Sequence, residues 1–343
     1  MNADWRRVLE GFGARIVNDH VLAYGDPKGE LATALNGDVI VDLSPLALIE
    51  VAGEDAQGFL AAQLTSDVRA LTADRSELSA WCSPQGRVLA LLRIYRTADA
   101  FFLLLPSDLA ESTLKRLRMY TLRSRVTISD RSDELLRVGV SGEAARTTVA
   151  DTTDLPDRPD QVTHGDGLTV IRLPDRRPRV LLVGRLDLLA TFWTHSAASL
   201  RPASSTAWDL LNIEAAQPQV FTETRDKFLP QMLNLDLLGG LSFSKGCYPG
   251  QEVIARLKYR AQLKQRLYIG RADTGEVPAP GTRLAVQGSD MSAGEIVMAA
   301  PHPEGGVMCT AVVQIELATT NRVHVGSHSG PLIRFSPPPY NVT

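Results

Sequence analysis

The C-terminal part of the chain, from about residue 262, alternates short apolar runs with turns rich in glycine, proline and aspartate. The runs that resemble strands cover residues 263–271, 283–287, 294–300, 308–316, 322–325 and 332–335. Short strands at this spacing, with no helical pattern between them, are typical of a small β-barrel. The sequence therefore predicts an all-β barrel module over residues 261–343.

Residues 1–260 mix helical and strand patterns, and they predict an α+β body that precedes the barrel. Apolar residues at helical spacing predict a helix over 56–64. The sequence Ser-Pro-Gln-Gly at 83–86 lies between two apolar runs and predicts a β-hairpin. The stretch 151–167 is polar and rich in proline, so we expect a loop there.

The charge balance and the lengths of the apolar runs exclude several classes of protein. The 343 residues carry a formal net charge of −3, so no overall field draws the chain to nucleic acid or to an anionic membrane. No signal-peptide pattern is visible, and no apolar run approaches the length of a membrane span. We therefore expect a cytoplasmic protein with no direct nucleic-acid partner and no membrane partner.

The cysteines are scattered along the chain at Cys82, Cys247 and Cys309. An odd number without a CxxC pair argues against a disulfide framework. A resident zinc ion or iron–sulfur cluster normally takes about four protein ligands, so the sequence predicts no metal site of its own. Phosphate-loop, dinucleotide and HExxH motifs are likewise missing from the sequence.

The run Lys-Gly-Cys-Tyr-Pro-Gly-Gln-Glu at 245–252 is the densest cluster of chemically active side chains. Its glycines and proline predict a turn, and a helical pattern follows. Cys247 would then lie near free N–H groups at a helix start, with Lys245 close by, and both influences favour the reactive thiolate. The alternative is a small buried apolar residue, which is the commoner role of an isolated cysteine.

A run of cations follows this cluster, at Arg256, Lys258, Arg260, Lys264 and Arg266. Such a run is often a solvated face. Because it begins beside the cluster, it is equally suited to an anionic partner, either the carboxylates of a ligand tail or the phosphates of a nucleic acid.

The string at 243–252, followed by Val-Ile-Ala-Arg at 253–256, resembles the signature of the YgfZ family. These are folate-binding proteins related to the T-protein, the aminomethyltransferase of the glycine cleavage system. The runs at 60–67, 212–218 and 228–236 resemble the same family. The likeness extends from about residue 42 to the C-terminus.

The resemblance implies a T-protein-like α+β body of several subdomains around a central folate channel, with a C-terminal barrel. It implies tetrahydrofolate or another reduced folate as the cofactor. The implied role is the assembly or repair of iron–sulfur clusters in client enzymes, including tRNA-modifying methylthiotransferases, so the implied partners are iron–sulfur client or assembly proteins.

The same resemblance makes Cys247 the functional cysteine. We expect Gln231, or a carboxylate at Glu223, to meet the pterin, and Lys245 or Arg256 to meet the tail carboxylates. The candidate folate-binding residues are Lys245, Tyr248, Gln251, Glu252, Arg256, Glu223 and Gln231.

Two other functions remain open from the sequence. A true aminomethyltransferase is expected to carry an aspartate soon after the hairpin glycine, where this chain has Ala90 and Leu91. Apolar side chains cannot orient or deprotonate an amine, so we expect that reaction to be absent. A non-catalytic adaptor that senses folate is the third possibility. We interpret Cys82 and Cys309 as packing residues.

Overall fold

The structure, a computed structural model, describes residues 1–165, 167–259, 262–289 and 291–341. Its helices are α1 (Ala3–Gly11), α2 (Pro27–Asn36), α3 (Ala56–Gln63), α4 (Ala110–Met119), α5 (Glu143–Ala150), α6 (Leu186–Ser196), α7 (Ser205–Glu214), α8 (Gln251–Tyr259) and α9 (Ile315–Ala318). Short 3-10 turns cover Val68–Ala70, Ser107–Leu109, Thr222–Thr224 and Pro230–Leu233.

The strands of the first half are β1 (Arg15–Val17), β2 (His20–Ala23), β3 (Val39–Asp42), β4 (Leu46–Ala52), β5 (Ser76–Cys82), β6 (Val88–Arg96), β7 (Ala100–Pro106), β8 (Thr127–Asp130) and β9 (Leu136–Ser141). Those of the second half are β10 (Val162–Gly165), β11 (Leu168–Arg172), β12 (Arg179–Gly184), β13 (Arg201–Ala203), β14 (Gln265–Ala272), β15 (Arg283–Val286), β16 (Ser292–Pro301), β17 (Val307–Gln314), β18 (Val323–Val325) and β19 (Ile333–Ser336). The mixture confirms the predicted α+β class.

Backbone packing divides the chain into two compact units. The first consists of Met1–Ala56, Leu71–Glu77 and Arg93–Leu211, and the second of Gln57–Ala70, Leu78–Leu92 and Asn212–Thr343. The predicted boundary between body and barrel falls on residues 260 and 261, which lie outside the described residues. That division therefore stays a prediction.

The first unit is built on a six-stranded sheet of order β10-β11-β12-β9-β3-β13, in which β13 runs parallel to β3 and the other pairs are antiparallel. Trp5 on α1 and Trp193 on α6 meet edge to face in its core, with ring centroids 5.4 Å apart. The Trp5 indole N–H donates to the fully buried Asp42 carboxylate at 2.7 Å. This bond satisfies a polar atom that the core would otherwise leave unpaired.

A five-stranded sheet has the order β5-β6-β7-β4-β8. Strands β5 and β6 are each divided between the two units, with residues 78–92 in the second unit. In the second unit, β5 and β6 form the predicted hairpin, and Thr65 joins it to the end of α3. The Thr65 hydroxyl accepts the Ala80 N–H at 2.8 Å and donates to the Gly240 carbonyl at 2.7 Å. Three segments distant in sequence therefore meet at one buried side chain.

The C-terminal strands form a curled antiparallel sheet, a half-barrel of order β18-β15-β16-β17-β14-β19. Its edges approach at a bridge between His324 and Leu332. Leu284, Ile296 and Ile333 are fully buried in its core. All six predicted strands of this region are present.

Two expectations about local structure were wrong. The module contains the short helix α9 directly after β17, although we expected no helix there. The stretch 151–167 contains β10, which pairs antiparallel with β11, although we expected only a loop. Asp166, within that stretch, lies outside the described residues. Among the described residues, no helix is long and apolar enough to cross a membrane.

Candidate functional site

The motif loop, which we define as residues 243–250, precedes α8 and packs against the hairpin turn at 83–86. Gly250 adopts a left-handed backbone conformation, with φ of +79°. On the opposite side, the Gly86 N–H donates to the Ser83 carbonyl at 2.8 Å and closes the hairpin turn. Because both turns present glycine, their backbones approach without intervening side chains. The predicted order of turn and then helix is confirmed.

Cys247 is exposed on this loop, whereas Cys82 and Cys309 are buried, as the sequence predicts for packing residues. Burial, followed by the nearby Asp226 carboxylate, raises the pKa of the Cys82 thiol far above its usual value. Burial raises the pKa of Cys309 to about 12. Cys247 is therefore the one accessible thiol among the three.

The Lys245 side chain donates its hydrogen bonds to backbone carbonyls. Its ammonium donates to Ala61 at 2.7 Å, to Ser66 at 2.8 Å and also to Leu64, at and just beyond the end of α3. The nitrogen also lies 4.8 Å from the centre of the Tyr248 ring. An ammonium group has three N–H donors, so these carbonyls can occupy all of them.

Two buried polar atoms near the motif have no partner among the described residues. Gln231 is 4% exposed, and its amide nitrogen donates to the Ile254 carbonyl at 2.6 Å, which leaves its oxygen as a free acceptor. The hydroxyl of Tyr248, a residue that is 6% exposed, is also unpaired. An unpaired buried polar atom costs about 1–3 kcal/mol, so both atoms suit a polar ligand.

Burial, followed by the proximity of Cys82, raises the pKa of the Tyr248 phenol to about 12. The phenol is therefore neutral at physiological pH and remains a hydrogen-bond donor. Gln63 on α3 carries a further buried amide oxygen without a partner among the described residues. Sequence reasoning placed Gln63 only in the family-like run at 60–67 and did not single it out.

The other predicted site residues lie on two separate segments. Gln251 begins α8 and is half-buried, while Glu252 and Arg256 are exposed on the same helix. Gln231 joins this group through its bond to the α8 backbone at Ile254. Glu223 is exposed in the turn Thr222–Thr224, and its backbone oxygen would lie 3.3 Å from a Cβ atom on Gly281. The structure thus groups the motif residues with Gln231 and places Glu223 beside a turn of the half-barrel.

A partly buried polar network supports Gln231. Arg266 forms a two-pronged ion pair with Asp236, at 3.0 and 2.9 Å, and also donates to the Gln231 carbonyl at 3.2 Å. Asn234 accepts from Arg266 at 3.1 Å and donates to the Leu267 carbonyl at 2.9 Å. Hydrogen bonds and an ion pair therefore hold the segment 228–236, which resembles the family in sequence, against β14.

Cations and aromatic rings lie together at the end of α8. The Lys258 ammonium is 3.9 Å from the centre of the Phe243 ring and 5.5 Å from that of Tyr259. Arg266 belongs to the partly buried network around Asp236 and not to this cluster, and Arg260 lies outside the described residues. Arg69, which the sequence did not single out, has its guanidinium 4.0 Å from the position of a Cβ atom on Gly246.

The described residues contain no group of three or more histidine, cysteine or acidic side chains that could hold a metal ion.

The fold is that of the glycine-cleavage aminomethyltransferases. The aminomethyltransferase T of Bartonella henselae has a TM-score of 0.78 to this chain at 14% identity, covering 98% of this chain and 96% of that chain. The family model described as the GCVT N-terminal domain matches residues 27–167. The chain is therefore a protein of the aminomethyltransferase fold.

Sequence comparison places the chain more narrowly. It is 31% identical to the tRNA-modifying protein YgfZ of Pectobacterium carotovorum over 316 residues, which is 91% of this chain and 95% of that protein. It is 30% identical to the protein of the same name from Yersinia pseudotuberculosis over 306 residues, 88% of this chain and 92% of the relative. The chain belongs to the YgfZ family, and the resemblance found in the sequence is confirmed.

Proposed function

We propose that this protein binds a reduced folate of the tetrahydrofolate class and uses Cys247 to support tRNA modification. In this proposal it helps to assemble or repair the iron–sulfur clusters of client enzymes, including methylthiotransferases. The observation that carries the proposal is the presence of two unpaired buried polar atoms, one on Gln231 and one on Tyr248 of the motif loop, together with the accessible thiol of the same loop. The printed name of the curated relatives, tRNA-modifying protein, supports the tRNA part.

The residues present fit a folate. The Gln231 oxygen is an acceptor for the N–H groups of a pterin edge, and the Ile254 carbonyl fixes the amide in that orientation. The neutral Tyr248 phenol supplies a donor. Arg256 is exposed on α8, the helix that contains Ile254, and its cation suits the glutamate carboxylates of the folate tail. Gln251, Glu252 and Glu223 are further candidates for contact with the folate. A bound tetrahydrofolate supplies a carrier of one-carbon units, and these residues hold and orient it.

The exposed Cys247 thiol is suited to three reactions. It can attack an electrophilic carbon, bind iron transiently together with ligands of another protein, or exchange with a mixed disulfide. Each of these requires an accessible sulfur, which Cys82 and Cys309 do not offer. We therefore assign the chemical step to Cys247.

The aminomethyltransferase reaction is the weaker candidate. Ala90 is fully buried on β6, and the neighbouring Leu91 is 5% exposed. Neither side chain can orient or deprotonate an amine. Folate-dependent release of ammonia from an aminomethyl-lipoyl carrier protein would favour this candidate over ours.

The first experiment is a calorimetric titration with tetrahydrofolate and 5-formyltetrahydrofolate. We expect micromolar binding that Gln231→Leu weakens about tenfold and Cys247→Ala leaves unchanged, because only the first change removes an acceptor. Gln262→Leu, at an exposed glutamine of the same unit, is the control. Failure of every folate form to bind would remove the folate part of the proposal.

The second experiment tests the thiol in cells that lack this protein. Their tRNA is analysed for methylthiolated nucleosides by mass spectrometry after complementation with the wild type or with Cys247→Ala. We expect the wild type to restore the modification and Cys247→Ala to fail at equal protein abundance. Full restoration by Cys247→Ala would instead favour a non-catalytic folate-sensing adaptor.

A further inference from the structure

Two cations lie at the motif loop, Lys245 and Arg69, and they differ in the groups that they contact. The role that we assign to Lys245 rests on the proposed function in one respect, that Cys247 is the working thiol. Lys245 donates to the carbonyls of Ala61, Leu64 and Ser66, which lie in the last turn of α3 and in the segment after it. Helix ends leave carbonyls without intrahelical partners, and a cation is favoured there.

The motif loop is thus fastened on both sides of Cys247. Lys245 ties it to α3 two residues before the cysteine. Gly250, three residues after it, packs against the backbone of the hairpin turn at Gly86. The exposed thiol therefore lies in a short segment that is held at both ends, by the hydrogen bonds of Lys245 and by the packing of Gly250. The position of the thiol relative to α8 depends on both contacts.

We propose that Lys245 is a positioning residue that fixes the loop bearing Cys247 on the end of α3, and that it is not the receptor for an anionic group of the ligand. An ammonium group has three donors, and a ligand carboxylate could be bound only by releasing a carbonyl. The Tyr248 ring beside the ammonium strengthens the tie, because it places the negative face of an aromatic ring next to the cation.

Arg69 provides the matched comparison. Its guanidinium lies beside Gly246, but it is not part of the tie, by which we mean the hydrogen bonds from Lys245 to the three backbone carbonyls. Arg69→Gln therefore removes a neighbouring positive charge and leaves the tie intact. Lys245→Met removes both the charge and the tie at nearly constant chain length. Lys245→Arg keeps the charge but replaces a compact three-donor group by a planar fork.

The experiment measures three quantities on the full-length protein and on each variant. These are the alkylation rate of Cys247 with neutral iodoacetamide, located by mass spectrometry, the hydrogen exchange of residues 242–250, and the affinity for tetrahydrofolate. For Lys245→Met we expect exchange to become faster by about fivefold or more, because the motif loop loses one of its two fixed contacts. Alkylation is compared at a pH where the thiol is ionised in both proteins, so that the lost charge of Lys245 does not change the thiolate fraction, and it should become faster by a similar factor. We expect its folate affinity to stay within about threefold of the wild type.

Lys245→Arg should give a smaller change in the same direction, and it decides the question if Lys245→Met does not fold. Arg69→Gln should leave alkylation and exchange within about twofold of the wild type. The proposal is overturned if Lys245→Met keeps wild-type alkylation and exchange but loses folate affinity about tenfold or more. If even the wild type binds no folate, the proposed function fails, whereas the alkylation and exchange rates still decide the role of Lys245.

Discussion

The Cα atom of Gly86 lies 2.4 Å from the position that a Cβ atom on Gly250 would occupy. The Ser83 carbonyl would lie 2.6 Å from the same atom, and Gly250 has a φ of +79°. Gly250→Ala therefore forces both a steric overlap with backbone and a strained conformation. We expect it to destabilise the fold by about 2–4 kcal/mol in chemical denaturation, and to displace the motif loop.

Gly246→Ala is the control for this prediction, because it lies in the same loop. Its nearest neighbour, the Arg69 guanidinium, is 4.0 Å away, which is ordinary van der Waals distance from the end of a flexible side chain. We expect a change of at most about 0.5 kcal/mol. Equal effects of the two substitutions would show that the close approach of the hairpin and the motif loop does not exist in solution.

The three cysteine thiols should differ in how fast they react in the native protein. Cys247 is exposed, while Cys82 and Cys309 are 2% and 1% exposed. We expect a disulfide dye to titrate one thiol in the native protein and all three after denaturation, because burial keeps two of them protonated and shielded. Cys247→Ala should abolish the native reaction. Cys82→Ala and Cys309→Ala should leave it in place, and a fast native reaction that survives Cys247→Ala would contradict the assignment.

Two arginines on β14 should differ in their effect on stability. Arg266 is 15% exposed and holds Asp236 through two hydrogen bonds, whereas Arg271 is 49% exposed and meets Glu304 at 3.3 Å. We expect Arg266→Gln to cost about 3 kcal/mol, because it leaves Asp236 without its partner. Arg271→Gln should cost less than about 0.5 kcal/mol. Urea unfolding of both variants checks the difference, and equal costs would contradict the network.

Local signals in the sequence predicted the parts of the fold that are defined by their own residues. The six C-terminal strands have strong apolar runs between turn residues, and each is found within about two residues of its expected position. The four-residue helix α9 has no periodic pattern long enough to detect. Only Val162 of the four residues of β10 is buried, so the strand has no clear alternation of apolar residues in its sequence. Its extended conformation depends on the pairing with β11, which is a tertiary contact.

The candidate site was predictable in its residue types but not in their roles. The string at 243–252 indicated a turn, a helix and an accessible cysteine, because glycine and proline punctuate the chain locally. The partners of Lys245 lie about 180 residues earlier in the chain and are backbone carbonyls, which carry no side-chain signature. The unpaired oxygen of Gln63 and the position of Arg69 likewise depend on long-range packing.

Asp209 on α7 predicts a dependence of stability on pH. Burial raises the pKa of its carboxyl from 3.8 to about 7. A carboxyl whose pKa is higher in the folded state than in the unfolded state favours folding while it is protonated. Its contribution is complete below pH 4, declines between about pH 4 and pH 7, and is lost above that range.

Asp209→Asn removes this titration, because asparagine stays neutral at every pH. We expect its melting temperature to match the wild type near pH 4 and to exceed it by about 3 °C at pH 8, with the difference growing between the two values. Asp187→Asn is the control, because the pKa of that exposed carboxyl is lowered by its hydrogen bond to Arg185. It should give no gain at pH 8. A constant difference between Asp209→Asn and the wild type across the pH range would show that the Asp209 carboxyl does not titrate in this window.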